Sequence, residues 1–329
     1  MNYIFKKVNL DKDLNKWNKL VEKTDKNHYV SFNPSLSSFF SKYYGLKSTY
    51  YFAYQDNKIV ALIPGVKLKG KFISLPIFSL SGFFILEEIN VEKLYLDFIS
   101  FLELKFEIRT AENFSKYIYK DKVLCFFDLK DTVEDQLSFY KSKHRSQILK
   151  GYKNGLEAKI GGKELLPDFY KIYKKSLHIL GTPVPGLDYF NTLFDTYKFG
   201  EIKVFLVKKD NIVIGAGIYM TYLNFSEIVW AATLREYNKL NTNLVLYWEM
   251  VKYSILNNKK TFSMGRSTVG SSGEKYKDNW MCDKIVINYN YSDQYLVKKE
   301  NETLKESWKK LPFAIANIVG PIIRKKVMS

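Results

Sequence analysis

The sequence predicts an α/β protein of the α+β kind: two similar helix–helix–sheet units side by side, with a cleft between them. Three observations predict it. "FAYQDNKIVALI" and "FLVKKDNIVIGAG" both read as strand, Asp-Asn turn, strand, and helices precede each. At 329 residues the chain has room for two ordinary domains. A hydrophobic content of 46% fills packed cores, and no long segment has the composition of disorder. Hairpins are common enough to resemble one another by chance, so the repeat is an expectation for the structure to test.

The elements follow in chain order. "NLDKDLNKWNKLVEK" places Leu14, Trp17, Leu20 and Val21 on one helical face. In "NPSLSSFFSKYYG" Asn33 is placed to cap a helix, Pro34 suits its first turn and Gly45 ends it. The first hairpin turns at Asp56-Asn57, and "KFISLPIFSLSGFF" continues as extended chain. A helix is expected over 91–105, then strands near 106–110 and 122–129. The second half opens with one long basic helix, "EDQLSFYKSKHRSQILKGYKNG", closed by Asn154-Gly155. Helices near 164–180 and 187–197 flank "GTPVPG", and the second hairpin turns at Asp210-Asn211. The strand "SEIVWAAT", the helix "TNLVLYWEMVKYSILN" and the strand "KTFSMG" complete the core. The expected division is 1–128, 129–295 and a helical tail, 296–329.

Charge and rare residues bound the function. The 51 basic against 34 acidic side chains leave +17, which suits RNA, a nucleotide or an acidic membrane surface. A solvated lysine coat accounts for the same number. Cys125 and Cys282 stand far apart without a CxxC, and His28, His144 and His178 add no metal-ligand spacing. No metal is expected, and two free thiols fit a reducing compartment. "MNYIFKKVNLDKDLNKW" lacks an apolar core long enough for a signal peptide, so a cytoplasmic protein is expected.

The stretch "FSMGRSTVGSSGEKYKDNW", residues 262–280, is the densest in chemistry. Gly265 and Gly270 have P-loop spacing, but Ser271 stands where the phosphate-binding lysine belongs, so an NTPase is rejected. No G-x-G-x-x-G follows a strand, and G-x-S-x-G is absent. What remains is a strand end opening into a loop of NH, OH and cationic donors, suited to a charged or polyhydroxylated ligand. Tyr276 and Trp280 are costly to expose, so the loop is expected to fold back over the protein.

"NLVLYWEMVKYSILNNKKTFSMGRSTVGSSGEKYKDNW" resembles the C-terminal domain of the FemAB-like proteins of the GNAT superfamily. The shared pattern is a helix N-x-L-x-Y-W-E, a strand ending F-x-x-G-R-S and a Gly-containing loop into an aromatic-Lys-x-x-aromatic motif. "KHRSQILKGYKNGLEAKIG" is similar to the family's basic helix, "LHILGTPVP" to its helix-to-helix link, and "WKKLPFAIANIVGPIIRKK" to the tail of a polysaccharide- and protein-sorting-associated subgroup. Gly151-Tyr152 and Asp278-Asn279 depart from the family pattern, and the family's long helical arm is missing.

The resemblance implies two tandem GNAT-like domains, each a mixed, mostly antiparallel sheet flanked by helices, plus a C-terminal helix. It implies an N-acyltransferase that moves an aminoacyl group from aminoacyl-tRNA, or another activated acyl donor, to an amine of a cell-envelope precursor. The acceptor is then a nucleotide-sugar or lipid-linked molecule, and no cofactor is needed. The alternative is an N-acetyltransferase acting on an amino sugar with acetyl-CoA or acyl-CoA as co-substrate. The helix start after "IVWAAT" reads Asn238-Lys239-Leu240-Asn241-Thr242-Asn243 without the glycines of a pyrophosphate cradle, which favours the tRNA donor. Lys277 matches the family's loop lysine and is expected to stabilise the oxyanion or bind acceptor phosphate, with Tyr276 packed on the acceptor. Arg145 and Arg266 are expected to grip anionic groups. Ser267, Thr268, Trp230 and Trp280 are further expected substrate contacts. Asn243 and Glu249 match the family helix; Asn243 also suits its cap, and Glu249 a pairing with Arg266.

Residues 311–323 are apolar between cations. A helix of that length spans about 20 Å against a bilayer core of roughly 30 Å, so it does not cross. Two expectations stand: a helix packed on the domain, or an interfacial anchor with Trp308 and basic flanks on an anionic inner leaflet.

Overall fold

The computed structural model describes residues 2–25, 28–294 and 302–328. The first unit runs β1 (Ile4–Lys7), α1 (Leu14–Glu22), α2 (Leu36–Tyr44), β2 (Lys47–Ser48), β3 (Tyr51–Gln55), β4 (Lys58–Ile63), β5 (Val66–Leu68), β6 (Lys71–Ile73), β7 (Phe84–Ile85), α3 (Val91–Leu102) and β8 (Lys105–Thr110). A long strand, β9 (Tyr117–Asp128), leads into α4 (Val133–Phe139), α5 (Ser142–Lys153), β10 (Leu156–Gly161), α6 (Leu166–Ile179) and α7 (Leu187–Thr196). Then come β11 (Ile202–Lys209), β12 (Ile212–Tyr222), β13 (Phe225–Thr233), α8 (Thr242–Leu256), β14 (Thr261–Thr268), α9 (Ser272–Asp278) and β15 (Asp283–Tyr291). The tail forms α10 (Glu302–Lys310) and α11 (Phe313–Met328). The mixed α/β class in two similar units is as the sequence predicts.

The two hairpins are the same object twice. Asp56-Asn57 and Asp210-Asn211 all take positive φ, between 49° and 65°, as a two-residue I′ turn requires. Asn and Asp tolerate that region better than other side chains. Each hairpin then slips register by one residue, between Ala53 and Tyr54 in the first and between Val207 and Lys208 in the second. Turn and bulge recur at the same 154-residue separation (Asp56 and Asp210, Ala53 and Val207). So does the next pairing: β5 meets β6 as β12 meets β13, with Val66↔Ile73 answered by Met220↔Glu227. Each unit then has a short parallel pair, Lys71–Ile73 on Lys105–Glu107 and Phe225–Glu227 on Thr261–Ser263, after which the strands separate.

The units do not keep their strands to themselves. β9 follows β8 in sequence but lies between β14 and β15, while β15 pairs with β8 of the first unit. This exchange joins both units in one eleven-stranded sheet, β10-β11-β12-β13-β14-β9-β15-β8-β6-β5-β2. The expected division at 128 therefore leaves β9 with a unit to whose strands it is not hydrogen-bonded. The expected boundary at 295 lies outside the described residues. One apolar cluster also runs from Trp17 and Phe40 of the first unit to Phe190 and Tyr222 of the second.

The single basic helix is a correction. The chain breaks into α4 and α5 at Tyr140, whose backbone is extended (φ −73°, ψ 151°). There its ring is buried against Phe127, Trp248 and Trp280. The 262–280 stretch is not one loop either. β14 extends through Thr268, and Ser272–Asp278 is helical. Strands β1, β10 and β15 were not expected. For β15 the alternation of Ile285, Ile287, Tyr289 and Tyr291 is a signal the sequence carries.

Candidate active site

The second unit's parallel strands make the site by parting. β13 and β14 pair only at Phe225↔Thr261, Ser226↔Phe262 and Glu227↔Ser263. Beyond Glu227, β13 carries an extra residue against β12, with the register shifting between Ile218 and Tyr219. β14 breaks register with β9 between Ser263 and Arg266. There Gly265 takes φ +69°, its N–H donating to Ser263 Oγ at 3.1 Å. A Cβ at Gly265 would stand 3.3 Å from Ile228 O and 3.8 Å from Glu227 Oε1. Glycine is needed because both the left-handed backbone and the close approach exclude a side chain.

A short helix closes the gap. Ser271 accepts from Glu274 N–H at 3.2 Å, and Glu274 Oε2 accepts from Gly270 N–H at 2.6 Å, so the first turn of α9 is satisfied from both sides. The helix carries Lys277 inward. Its Nζ donates to Gly265 O at 2.9 Å and Arg266 O at 3.0 Å, which leaves one of three ammonium hydrogens unassigned. Glu227 is buried on the other side of Gly265, 7% exposed. Burial pushes its carboxyl up to about 7, against the pull of the Lys277 and Arg266 cations. Burial likewise lowers Lys277, and nearby Cys125, Cys282 and Glu227 partly restore it.

These groups line a cleft of about 430 Å³ with Trp230, Tyr247, Arg266 and, from the first unit, the 76–79 segment. Trp230 is held edge-on by Tyr189 at 5.7 Å and Phe190 at 5.4 Å. Arg266 donates to Tyr289 Oη at 3.4 Å, and Arg109 lies over the Tyr289 ring at 5.0 Å. Arg324 of α11 reaches the same cleft. A larger cavity of about 950 Å³ is lined by Tyr29, Phe83, Phe126, Lys130, Lys259 and Arg109, among others. There Lys259 already donates to Leu223 O at 2.8 Å. Burial raises both thiols, Cys125 and Cys282, so neither is poised as a nucleophile.

Of the expected site residues, the structure brings Lys277, Arg266 and Trp230 to this cleft. Tyr276 stands behind it, half-buried and edge-on to Tyr247 at 5.8 Å. The others lie elsewhere, each for a physical reason. Arg145 donates to Ser138 O and Tyr140 O, satisfying the end of α4. Ser267 is buried in β14 opposite Val123, and Thr268 accepts from Lys122 Nζ at 2.7 Å. Trp280 is fully buried between Tyr140, His144 and Tyr247, a core residue. Asn243 is not the cap: α8 starts after Asn241, whose side chain donates to Gln147 instead. Glu249 pairs with Tyr152 Oη and Lys252, not with Arg266. Tyr152 is one of the two departures in the basic helix, and Glu249 gives it a role. At the other, Gly151, a Cβ would meet Val245 Cγ2 at 2.4 Å.

Sequence reasoning missed Glu227, Tyr247 and Arg324. For Glu227 the signal was a lone carboxylate in the otherwise uncharged strand "FSEIVWAAT".

A splayed parallel pair in each of two fused, strand-exchanged units gives a fold similar to that of solved tandem GNAT proteins. Residues 112–208 match the FemAB family, and solved structures of similar fold cover most of the chain. FemX is 11% identical with a TM-score of 0.65, covering 93% of this chain and all of that one. The C-terminal domain of a candidate lysylphosphatidylglycerol synthetase from Agrobacterium fabrum is 10% identical, TM-score 0.54, covering 95% and 97%. A tandem GNAT protein from the clavulanic acid biosynthesis pathway is 6% identical, TM-score 0.54, covering 90% and 100%. No curated protein matches the chain in sequence.

Proposed function

We propose that this protein is an N-acyltransferase that moves an aminoacyl group from aminoacyl-tRNA to an amine of a cell-envelope precursor. The observation that carries it is the buried Glu227–Lys277 pair on either side of Gly265 at the parted strands. A neutral acceptor amine must lose a proton as its nitrogen bonds the ester carbon. Glu227, with its carboxyl near 7, takes that proton at neutral pH. The amine nitrogen bonds the acyl carbon, and the ammonium of Lys277 stabilises the oxyanion that forms. The ester C–O bond then breaks, and the ribose hydroxyl leaves with the proton returned from Glu227. Arg266 and Arg324 supply cations for phosphate or carboxylate groups of the substrates.

Two features support the donor. At the start of α8, where an acyl-CoA pyrophosphate would need free backbone N–H groups, α5 packs close: Asn241 Nδ2 donates to Gln147 O at 2.8 Å, and Asn154 to Leu240 O at 3.2 Å. The +17 charge suits a polyanionic donor. The similarly folded candidate lysylphosphatidylglycerol synthetase is named for an aminoacylated lipid, which accords with an envelope acceptor.

The test offers purified protein charged tRNA or acetyl-CoA, each with amine-bearing envelope precursors, and follows amide formation by mass spectrometry. Amide from charged tRNA is expected, and E227Q should not form it. Amide formed only from acetyl-CoA would replace this reading with acyl-CoA-dependent acetylation of an amino sugar.

A further inference from the structure

Helix α11 is packed the wrong way round for an ordinary surface helix. Such a helix turns its large apolar side chains inward. Here the inner face is small: Ala316 is 4% exposed, and an added Cβ at Gly320 would sit 3.3 Å from Val184 O. The isoleucines point out, Ile315 at 47%, Ile318 at 69% and Ile322 at 62% exposure. Spaced three and four apart, they form one stripe along the helix. Branched aliphatic side chains in a row on the surface mark a contact that the isolated chain does not make.

We infer that this stripe lies on a bilayer surface containing anionic lipid. Lys310 precedes the helix, and Lys325 and Lys326 follow the stripe at its far end, Lys325 lying over the Tyr43 ring at 5.0 Å beside the surface where headgroup phosphates would sit. The 16-residue helix is about 24 Å long, and no helix among the described residues is long and apolar enough to cross a membrane. It therefore lies in the interface plane with its isoleucines among the acyl chains. The inner face of the same helix carries Arg324 into the reactive cleft. The cleft then opens within about one helix diameter, ~10 Å, of the headgroups, where an acceptor anchored in lipid would present its amine.

The surface is tested apart from the chemistry. Full-length protein is sedimented with phosphatidylglycerol-rich or pure phosphatidylcholine vesicles at low and high salt, with solution mass measured by light scattering. The wild type is expected on the anionic vesicles at low salt and off them at high salt. The triple variant I315S/I318S/I322S should bind about tenfold more weakly or less, with an unchanged melting curve because the replaced side chains are exposed. K325Q and K326Q should each weaken binding about fivefold, a second measure if the triple variant fails to fold. Wild-type protein left in the supernatant with anionic vesicles overturns the inference, as does equal binding by the variants. A dimer that the triple variant breaks also overturns it, since a second copy would then cover the stripe. Amide formation on a soluble amine without vesicle binding refutes the surface alone; vesicle binding without transfer refutes the transfer alone.

Discussion

Glu227→Gln should make the protein slower and more stable at once. Glutamine keeps the shape of the protonated carboxyl and removes its charge. Burial raises the folded-state value from an ordinary 4.5 to about 7, so between these pH values the folded protein binds a proton that the unfolded chain has released. Stability is then fully present below about 4.5 and falls as pH rises through about 7. At 1.36 kcal/mol per pH unit the loss is about 3 kcal/mol by pH 8. The variant does not suffer it, so it should exceed the wild type by about 3 kcal/mol at pH 8 and match it at pH 4.5. Urea unfolding across this range measures the difference, and groups common to both proteins cancel. In turnover, the wild-type rate should climb tenfold per pH unit below about 7 and level above it, because the base must be ionised. The variant should lose about 10²-fold or more. Superimposable stability–pH profiles, or a variant with the wild-type rate, would refute the reasoning.

Three further outcomes follow from the same geometry. Lys277→Met should cost about 10²–10³ in turnover with the authentic substrates; an unchanged kcat/KM would remove it from the oxyanion role. Trp280→Ala should destabilise by about 3–5 kcal/mol as a core deletion, while the folded fraction keeps its substrate affinity in a binding titration. His144, wedged against Tyr140 and Trp280, is held down to about 4 by burial. Its contribution is present above about 6.5 and lost as pH falls towards 4, so His144→Phe should flatten that acid loss in a denaturation series.

What the sequence makes legible is local. Asp and Asn tolerate the positive φ that a two-residue turn requires, and β-rich runs flank both pairs, so both hairpins were readable. The helix "TNLVLYWEMVKYSILN" was readable from its length and apolar content. The short helix α9 was also written in the chain, as Ser271-x-x-Glu274, a capping box that the surrounding hydroxyls and glycines disguised as loop. Once that helix exists, Tyr276 and Trp280 share one face, and the face turns into the core. Trp280 thus leaves the list of substrate contacts for the same reason that Lys277, one residue after Tyr276, enters the cleft. Long-range partners were not legible. Nothing near Glu249 points to Tyr152, 97 residues away, and nothing in β9 says that it will pair with β14 rather than β8. Glu227 was hidden because a strand is recognised by its apolar residues, and the informative residue was the exception.

On the proposed mechanism, the duplication also explains why only the second unit carries the candidate site. Ile73 of β6 occupies the place that Glu227 holds in β13, at the end of the parallel pair, and offers no proton acceptor. The chain beyond it closes the gap between β6 and β8. Ser74 Oγ accepts from Arg109 N–H at 2.9 Å, and the Arg109 guanidinium donates to Pro76 O and Phe78 O while paired with Glu107 at 2.7 Å. The first unit's gap is thereby filled by its own 74–78 segment, and the outer side of that segment is a wall of the second unit's cleft. Arg109 is a positioning residue on this argument, since it holds the wall and does not touch the reacting atoms. Arg109→Gln leaves Glu107 and two carbonyls without their cationic partner, at a cost of about 2–4 kcal/mol. In the folded protein the wall should loosen, raising KM about tenfold while kcat stays within about twofold. Steady-state kinetics below the melting range, with the folded fraction fixed by circular dichroism, separates the two effects. If KM does not move while stability drops, Arg109 serves only the first unit, and the cleft does not depend on the plugged twin beside it.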